Sequence, residues 1–130
     1  MPKNSILAVI SVIAIGMAAI GLFVSGGPSV GKAERRDQAR IEDLYELREL
    51  TFCLAETAGG VLPKIIDNSD TCARDIMFND PYDDVPYVYE WISERSYKYC
   101  ASFEYPERIT IYDSASFDPT TGCIQFTYRP

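Results

Sequence analysis

The segment Tyr87-Val88-Tyr89-Glu90-Trp91-Ile92-Ser93-Glu94-Arg95-Ser96-Tyr97-Lys98-Tyr99-Cys100-Ala101-Ser102-Phe103 decides the fold. Tyr87, Tyr89 and Trp91 alternate with Val88, Glu90 and Ile92. After a short Ser93-Glu94 link, Tyr97, Tyr99, Ala101 and Phe103 alternate with Ser96, Lys98, Cys100 and Ser102. A period of two sends successive side chains to opposite faces of a strand, so the two runs predict a β-hairpin with one aromatic face. Aromatic residues are ordinary strand formers, and the strip Tyr87, Tyr89, Trp91, Tyr97 and Tyr99 is read first as core packing. The rival reading is a platform for glycan or peptide, because Tyr and Trp dominate recognition surfaces.

Toward the C-terminus, residues 108–113 and 123–128 are two further β-rich runs. The loop between them ends in Asp118-Pro119-Thr120-Thr121-Gly122, which suits a tight turn. Toward the N-terminus, residues 65–84 read as an irregular loop rich in Asp, Asn and Ser, with a short helical turn expected over 73–78. Before it, residues 32–58 favour helix. Ile41, Leu44, Tyr45, Phe52 and Ala55 fall on one stripe at 3.6-residue periodicity, and Gly59-Gly60 and Pro63 end the helix. The simplest way to bury both apolar faces is an α+β fold, an amphipathic helix packed on a three- or four-stranded antiparallel sheet.

Residues 6–24 are nineteen consecutive uncharged residues rich in Ile, Val, Leu and Ala, close to a bilayer's hydrocarbon thickness as a helix. This run exceeds a signal peptide's usual apolar core, so an uncleaved signal anchor is expected rather than a cleaved leader, despite the small residues Val24-Ser25-Gly26. Ala14, Gly16, Ala18 and Gly21 are read as part of a plain lipid-facing span. The expected organisation is a tail and transmembrane helix over 1–27, broken by the glycines and Pro28, and a domain over 28–130.

Lys3 precedes the span, whereas Lys32, Arg35, Arg36 and Arg40 follow it, which by the positive-inside rule favours a cytoplasmic domain. Cys53, Cys72, Cys100 and Cys123 argue the other way. With no CxxC pair and no histidine they do not suit zinc, and disulfides in a small domain belong to an oxidising compartment. An extracytoplasmic domain on a single-pass anchor in the cytoplasmic (inner) membrane follows. Four cysteines permit three connectivities; the expected layout puts Cys100 beside Cys123 on neighbouring strands and Cys53 within reach of Cys72.

All nineteen acidic residues and all but one of the basic ones follow the span, so the domain carries a net charge of −8 and repels nucleic acid as a partner. Between positions 65 and 94, eight carboxylates face one base, Arg74, and read as a solvated rim. The absence of histidine removes the commonest general base near neutral pH, and the adjacent Asp83 and Asp84 sit in a turn beside proline. The chain is not expected to be an enzyme.

Three motifs recur in order: Gly60-Val61-Leu62-Pro63 closing a long helix, Asp80-Pro81 followed by Pro86-Tyr87-Val88-Tyr89, and Tyr97-Lys98-Tyr99-Cys100-Ala101-Ser102-Phe103. On these the chain resembles the pilin-like proteins, in its soluble half most of all the type II secretion major pseudopilin and small membrane-anchored bacterial proteins of unassigned role. The resemblance implies a pilin-like fold and a non-enzymatic structural or interaction role in the bacterial cell envelope, with an envelope protein as partner. Major pseudopilins bind calcium, which makes Asp80, Asp83 and Asp84 the candidate ligands, as hard oxygen donors on a loop. The chain departs from prepilins in having no Gly/Phe processing site over 1–5 and no acidic residue in the span. The alternative function is an extracytoplasmic ligand-binding module for glycan or peptide that uses exposed aromatics.

Overall fold

The apolar run is helical over Lys3–Val24 (α1, 22 residues) in a computed structural model that describes residues 2–111 and 113–130. At about 1.5 Å per residue, α1 is long enough and apolar enough to cross a bilayer. Its Ile, Leu and Val side chains stay at least half exposed, from Ile6 at 50% to Val24 at 79%, an apolar surface that water would not tolerate for long.

The helix stops at Ser25, whose hydroxyl and backbone N–H both donate to the Gly21 carbonyl. Gly26 and Gly27 follow with φ of 79° and 73°, in the left-handed region that only glycine enters freely, and a Cβ on Gly26 would sit 2.8 Å from Val30 Cγ2. Pro28 then lies in the first turn of the next helix, where its missing N–H costs nothing. The expected break is present, but helix resumes at Gly27 rather than at Lys32. By packing, the chain forms two compact units, one ending at Ala33 and the other Glu34–Pro130.

Within the second unit, the part of helix α2 (Gly27–Thr57) from Glu34 onward supplies one layer. It ends in a Schellman motif: Gly60 N–H donates to the Ala55 carbonyl (2.8 Å) and Gly59 N–H to Glu56 (3.1 Å), with φ of 90° and 73°. The other layer is a four-stranded antiparallel sheet of β1 (Val88–Ser93), β2 (Ser96–Cys100), β3 (Ser116–Asp118) and β4 (Cys123–Thr127), in the order β1-β2-β4-β3. The hairpin register pairs Tyr89 with Tyr99 and Trp91 with Tyr97, and the turn is Glu94-Arg95 rather than Ser93-Glu94.

Alternation puts Tyr97, Tyr99, Ile124 and Phe126 on the face that meets α2, where they form one core with Leu44, Leu47, Ala55, Leu62 and Tyr128. The Tyr99 and Thr51 hydroxyls meet at 2.7 Å and fasten the helix to β2 inside it. The buried stripe keeps Ile41, Leu44 and Ala55 but differs from the expected one between them. Leu47, Leu50 and Thr51 are fully enclosed, whereas Phe52 is 37% exposed, with its ring 5.6 Å from that of Tyr128.

Both disulfides take the expected pairing. Cys53–Cys72 ties the end of α2 to the following loop, and Cys100–Cys123 joins two residues directly opposite on β2 and β4, on the sheet face away from α2. The loop contains no helical turn over 73–78.

The run at 108–113 does not form the expected strand in its described residues; Tyr112 lies outside them. Pro106–Arg108 is a 3₁₀ turn, and the following segment lies along α2 instead of the sheet. Arg108 pairs with Glu34 (2.6 Å), Asp113 pairs with Arg48 (2.7 Å), and Ile111 packs against the core. The helix thus takes the apolar side chain that a strand would have offered to a neighbour. The fourth strand is instead Ser116–Asp118, inside the stretch read as loop.

Candidate functional site

Two regions of the domain concentrate polar or aromatic groups: a charge cluster around Arg40, and the aromatic edge of the sheet at Trp91. Arg40 follows Asp37 by one helical turn, and both continue the buried stripe of α2 beyond Ile41, at 3% exposure each. The Arg40 guanidinium donates to Asp37 Oδ1 (2.8 Å), to Asp80 Oδ2 through Nε, and to Glu104 Oε1 (3.3 Å). Asp83 Oδ2 lies 3.9 Å from Nη2, and the Tyr82 ring centroid lies 5.6 Å from Cζ.

Asp37 also accepts the backbone N–H groups of Glu104 (2.9 Å) and Tyr105 (2.8 Å), so this helix carboxylate fixes the chain leaving the sheet region. Glu104 in turn receives Nε and Nη2 of Arg36 at 2.6 and 2.7 Å, a bidentate pair.

These contacts set the protonation states. Burial works against the Arg40 charge, but the hydrogen bonds to Asp80 and Asp37 outweigh it and hold the group more firmly protonated than a free guanidinium. The Arg36 hydrogen bonds hold the Glu104 carboxyl down at about 2. Neither group exchanges a proton near neutral pH, so the pair binds and positions and offers no acid or base.

Asp80 is drawn inward to Arg40 and also accepts the Tyr82 N–H (2.8 Å). Asp83 is half exposed and caps the Val85 N–H (3.2 Å). Asp84 stands in the left-handed region at φ 58° and accepts from Asn79 Nδ2 (3.0 Å). Asp80 and Asp83 thus both turn toward the Arg40 guanidinium while Asp84 is held by Asn79, and among the described residues no group of three Asp, Glu, Cys or His comes together that could hold a metal.

A second carboxylate, Asp43, accepts the Tyr87 hydroxyl at 2.6 Å. Burial raises its pKa above the usual carboxylate range, against the pull of that hydrogen bond, and burial together with Asp43 pushes the Tyr87 phenol up as well.

The aromatic strip divides. Tyr97 and Tyr99 are buried at 2% and 1%, and Tyr87 and Tyr89 are half buried. The Tyr89 hydroxyl donates to the Pro63 carbonyl (2.6 Å), and burial lifts its pKa to about 12. Trp91 remains 38% exposed, with Lys64 Nζ 5.7 Å from its ring centroid. Lys64 borders two clefts. One, of about 290 Å³, is lined on its other sides by Phe78, Tyr87 and Tyr89; the second, of about 480 Å³, by Leu62, Trp91 and Glu94.

Reading the sequence for apolar periodicity stops the stripe at Ile41 and so misses Asp37, Arg40 and Glu104. The spacing 37, 40, 41, 44 was the available signal, since it continues one helical face through two charged residues. Lys64 carried no sequence signal. No protein-family model, curated protein or solved structure matches this chain.

Proposed function

We propose that the chain is a non-enzymatic structural or interaction protein of the bacterial cell envelope, anchored by α1 in the cytoplasmic membrane, with its domain outside the cytoplasm in a pseudopilin-like arrangement. The observation that carries this reading is the pair of disulfides locking a helix-on-sheet domain that follows a span-length apolar helix. Disulfides persist in oxidising compartments, and a domain of this size has a limited core. The pseudopilin likeness draws further support from a single helix, α2, that supplies Leu44, Leu47, Leu50 and Ala55 to the interior beneath an antiparallel sheet. In this reading the acidic loop serves Arg40 and calcium is not required, so a chelator leaves the melting temperature unchanged.

Native electrophoresis of mild-detergent membrane extracts tests the interaction role. A discrete assembly larger than the monomer is expected, and it should survive replacement of residues 3–24 by an unrelated span. A monomer throughout, or an assembly lost with the native span, contradicts a role for the domain. A second reading, a ligand-binding module for glycan or peptide, is favoured by the exposure of Trp91 beside two clefts.

A further inference from the structure

We infer that the open edge of β1, with the two clefts that meet at Lys64, is a docking groove for an extended segment of a partner protein, one bearing an acidic side chain between two apolar ones on the same face. The inference rests on the interaction reading above and names the class of partner.

The backbone makes the first argument. β1 is the outer strand of the sheet, paired only with β2. Tyr87, just before it, directs its N–H away from β2 to the Phe78 carbonyl (2.9 Å). Strand alternation puts the N–H and C=O of Tyr89 and Trp91 on that same outward side, where among the described residues they meet no backbone partner. An unpaired row of this kind is a template for an added strand, and proteins usually blunt it with proline, charge or a bulge. The Asn79–Pro86 bridge covers the start of the edge and a register irregularity lies between Trp91 and Ser93, which leaves the outward groups of Tyr89 and Trp91 as the open stretch. Here the charged Glu90 is on the opposite face, paired with Lys98 at 3.0 Å, and the inner face of the edge presents Tyr89 and Trp91.

The side chains make the second argument. In an added strand, alternate residues share a face at a spacing of about 7 Å. Lys64 lines both the cleft at Tyr87 and Tyr89 and the cleft at Trp91, so three successive same-face side chains of an added strand would meet the first cleft, Lys64 and the second. Lys64 has no carboxylate within ion-pair distance among the described residues, so it is the cation that the middle side chain would complement. Glu94 at the far cleft, in a domain of net charge −8, repels a second acid. Glycan fits less well, because Lys64 already stands over the Trp91 ring and sugars make no use of a strand's repeating N–H and C=O groups.

Trp91 is the sole tryptophan, so its emission reports on the groove directly. The full chain in phosphatidylcholine nanodiscs is titrated with acetyl-Thr-Val-Thr-Glu-Thr-Val-Thr-amide. A saturable blue shift is expected. It should weaken about fivefold, the scale of one partly exposed ion pair, when lysine replaces the glutamate or when the protein carries Lys64→Gln. Backbone N-methylation of the peptide should abolish it.

No saturable change up to millimolar peptide, or equal binding of the lysine peptide, overturns the inference. Should Lys64→Gln fail to fold, the two peptides on the unaltered chain still decide it. An assembly that persists on native electrophoresis without peptide binding removes the groove alone, whereas loss of both removes the interaction reading.

Discussion

The Arg40 cluster and the Trp91 edge lie at opposite extremes of polar satisfaction. Around Arg40, the carboxylates of Asp37, Asp80 and Glu104 and the guanidinium groups of Arg36 and Arg40 answer one another and the backbone N–H groups of Tyr82, Glu104 and Tyr105, and the central side chain is only 4% exposed. At Trp91, among the described residues, a cation lacks its anion and the outward N–H and C=O groups of Tyr89 and Trp91 lack a backbone partner. A buried charge persists only when it is paired, because desolvation is otherwise too costly, so the first region is organised for folding. An exposed polar group has no such obligation, and water holds its place until a partner arrives. The difference separates the part of the domain that holds its shape from the part that faces outward.

The largest test of that contrast is Arg40→Ala, which strands Asp37 and Asp80 in the interior. We expect a loss of about 3–5 kcal/mol in urea unfolding. Arg40→Met combined with Asp37→Asn and Asp80→Asn should recover part of it, and equal loss in the triple variant would show that the charges themselves were not the problem.

Removing the Cys53–Cys72 bridge by paired serine substitution should cost about 2–4 kcal/mol, read from the denaturant midpoint. Tyr99→Phe deletes the hydroxyl that meets Thr51 and should cost about 1 kcal/mol with the fold unchanged by circular dichroism. Trp91→Ala should cost no more than about 1 kcal/mol, because the ring is partly solvated already and substitutions outside the core have small effects. A loss as large as that of a core aromatic would move Trp91 to the structural side of the comparison and dissolve the contrast.

The smallest effect concerns pH. Glu104 is held at about 2 when folded, below its ordinary 4.5, so its contribution is present above the ordinary value and fades as pH falls from there through about 2. Glu104→Gln should flatten that acid limb of the stability curve and leave the slope near neutrality alone.

The legible parts of the sequence were those governed by local periodicity. Tyr87 to Phe103 announced the hairpin because period two is a property of one strand at a time. Gly59-Gly60 announced the helix end because only glycine enters the left-handed region without strain. The cysteine pairing followed from placing each residue on its element.

What failed depended on distant partners. The run at 108–113 reads as a strand, but Arg108 and Asp113 are drawn to Glu34 and Arg48 on a helix more than sixty residues earlier. Ser116-Phe117-Asp118 is too short to show alternation, and it becomes a strand only because β4 offers Gln125, Ile124 and Cys123. Asp37 and Arg40 share the spacing of the buried face, but apolar periodicity passes over charged residues for a related reason. A charged residue enters an interior only when its counter-charge, here on Asp80 and Glu104, is brought in by the fold.

The measurement that bears most directly on the account is thiol labelling of the full chain in intact cells with a membrane-impermeant maleimide, before and after an impermeant reductant. An anchored, oxidised domain outside the cytoplasm gives no labelling before reduction and labelling of the four cysteines after it, without lysis. Labelling that needs no reductant and appears only once the cells are opened would place reduced cysteines in the cytoplasm and contradict an anchored, oxidised envelope domain.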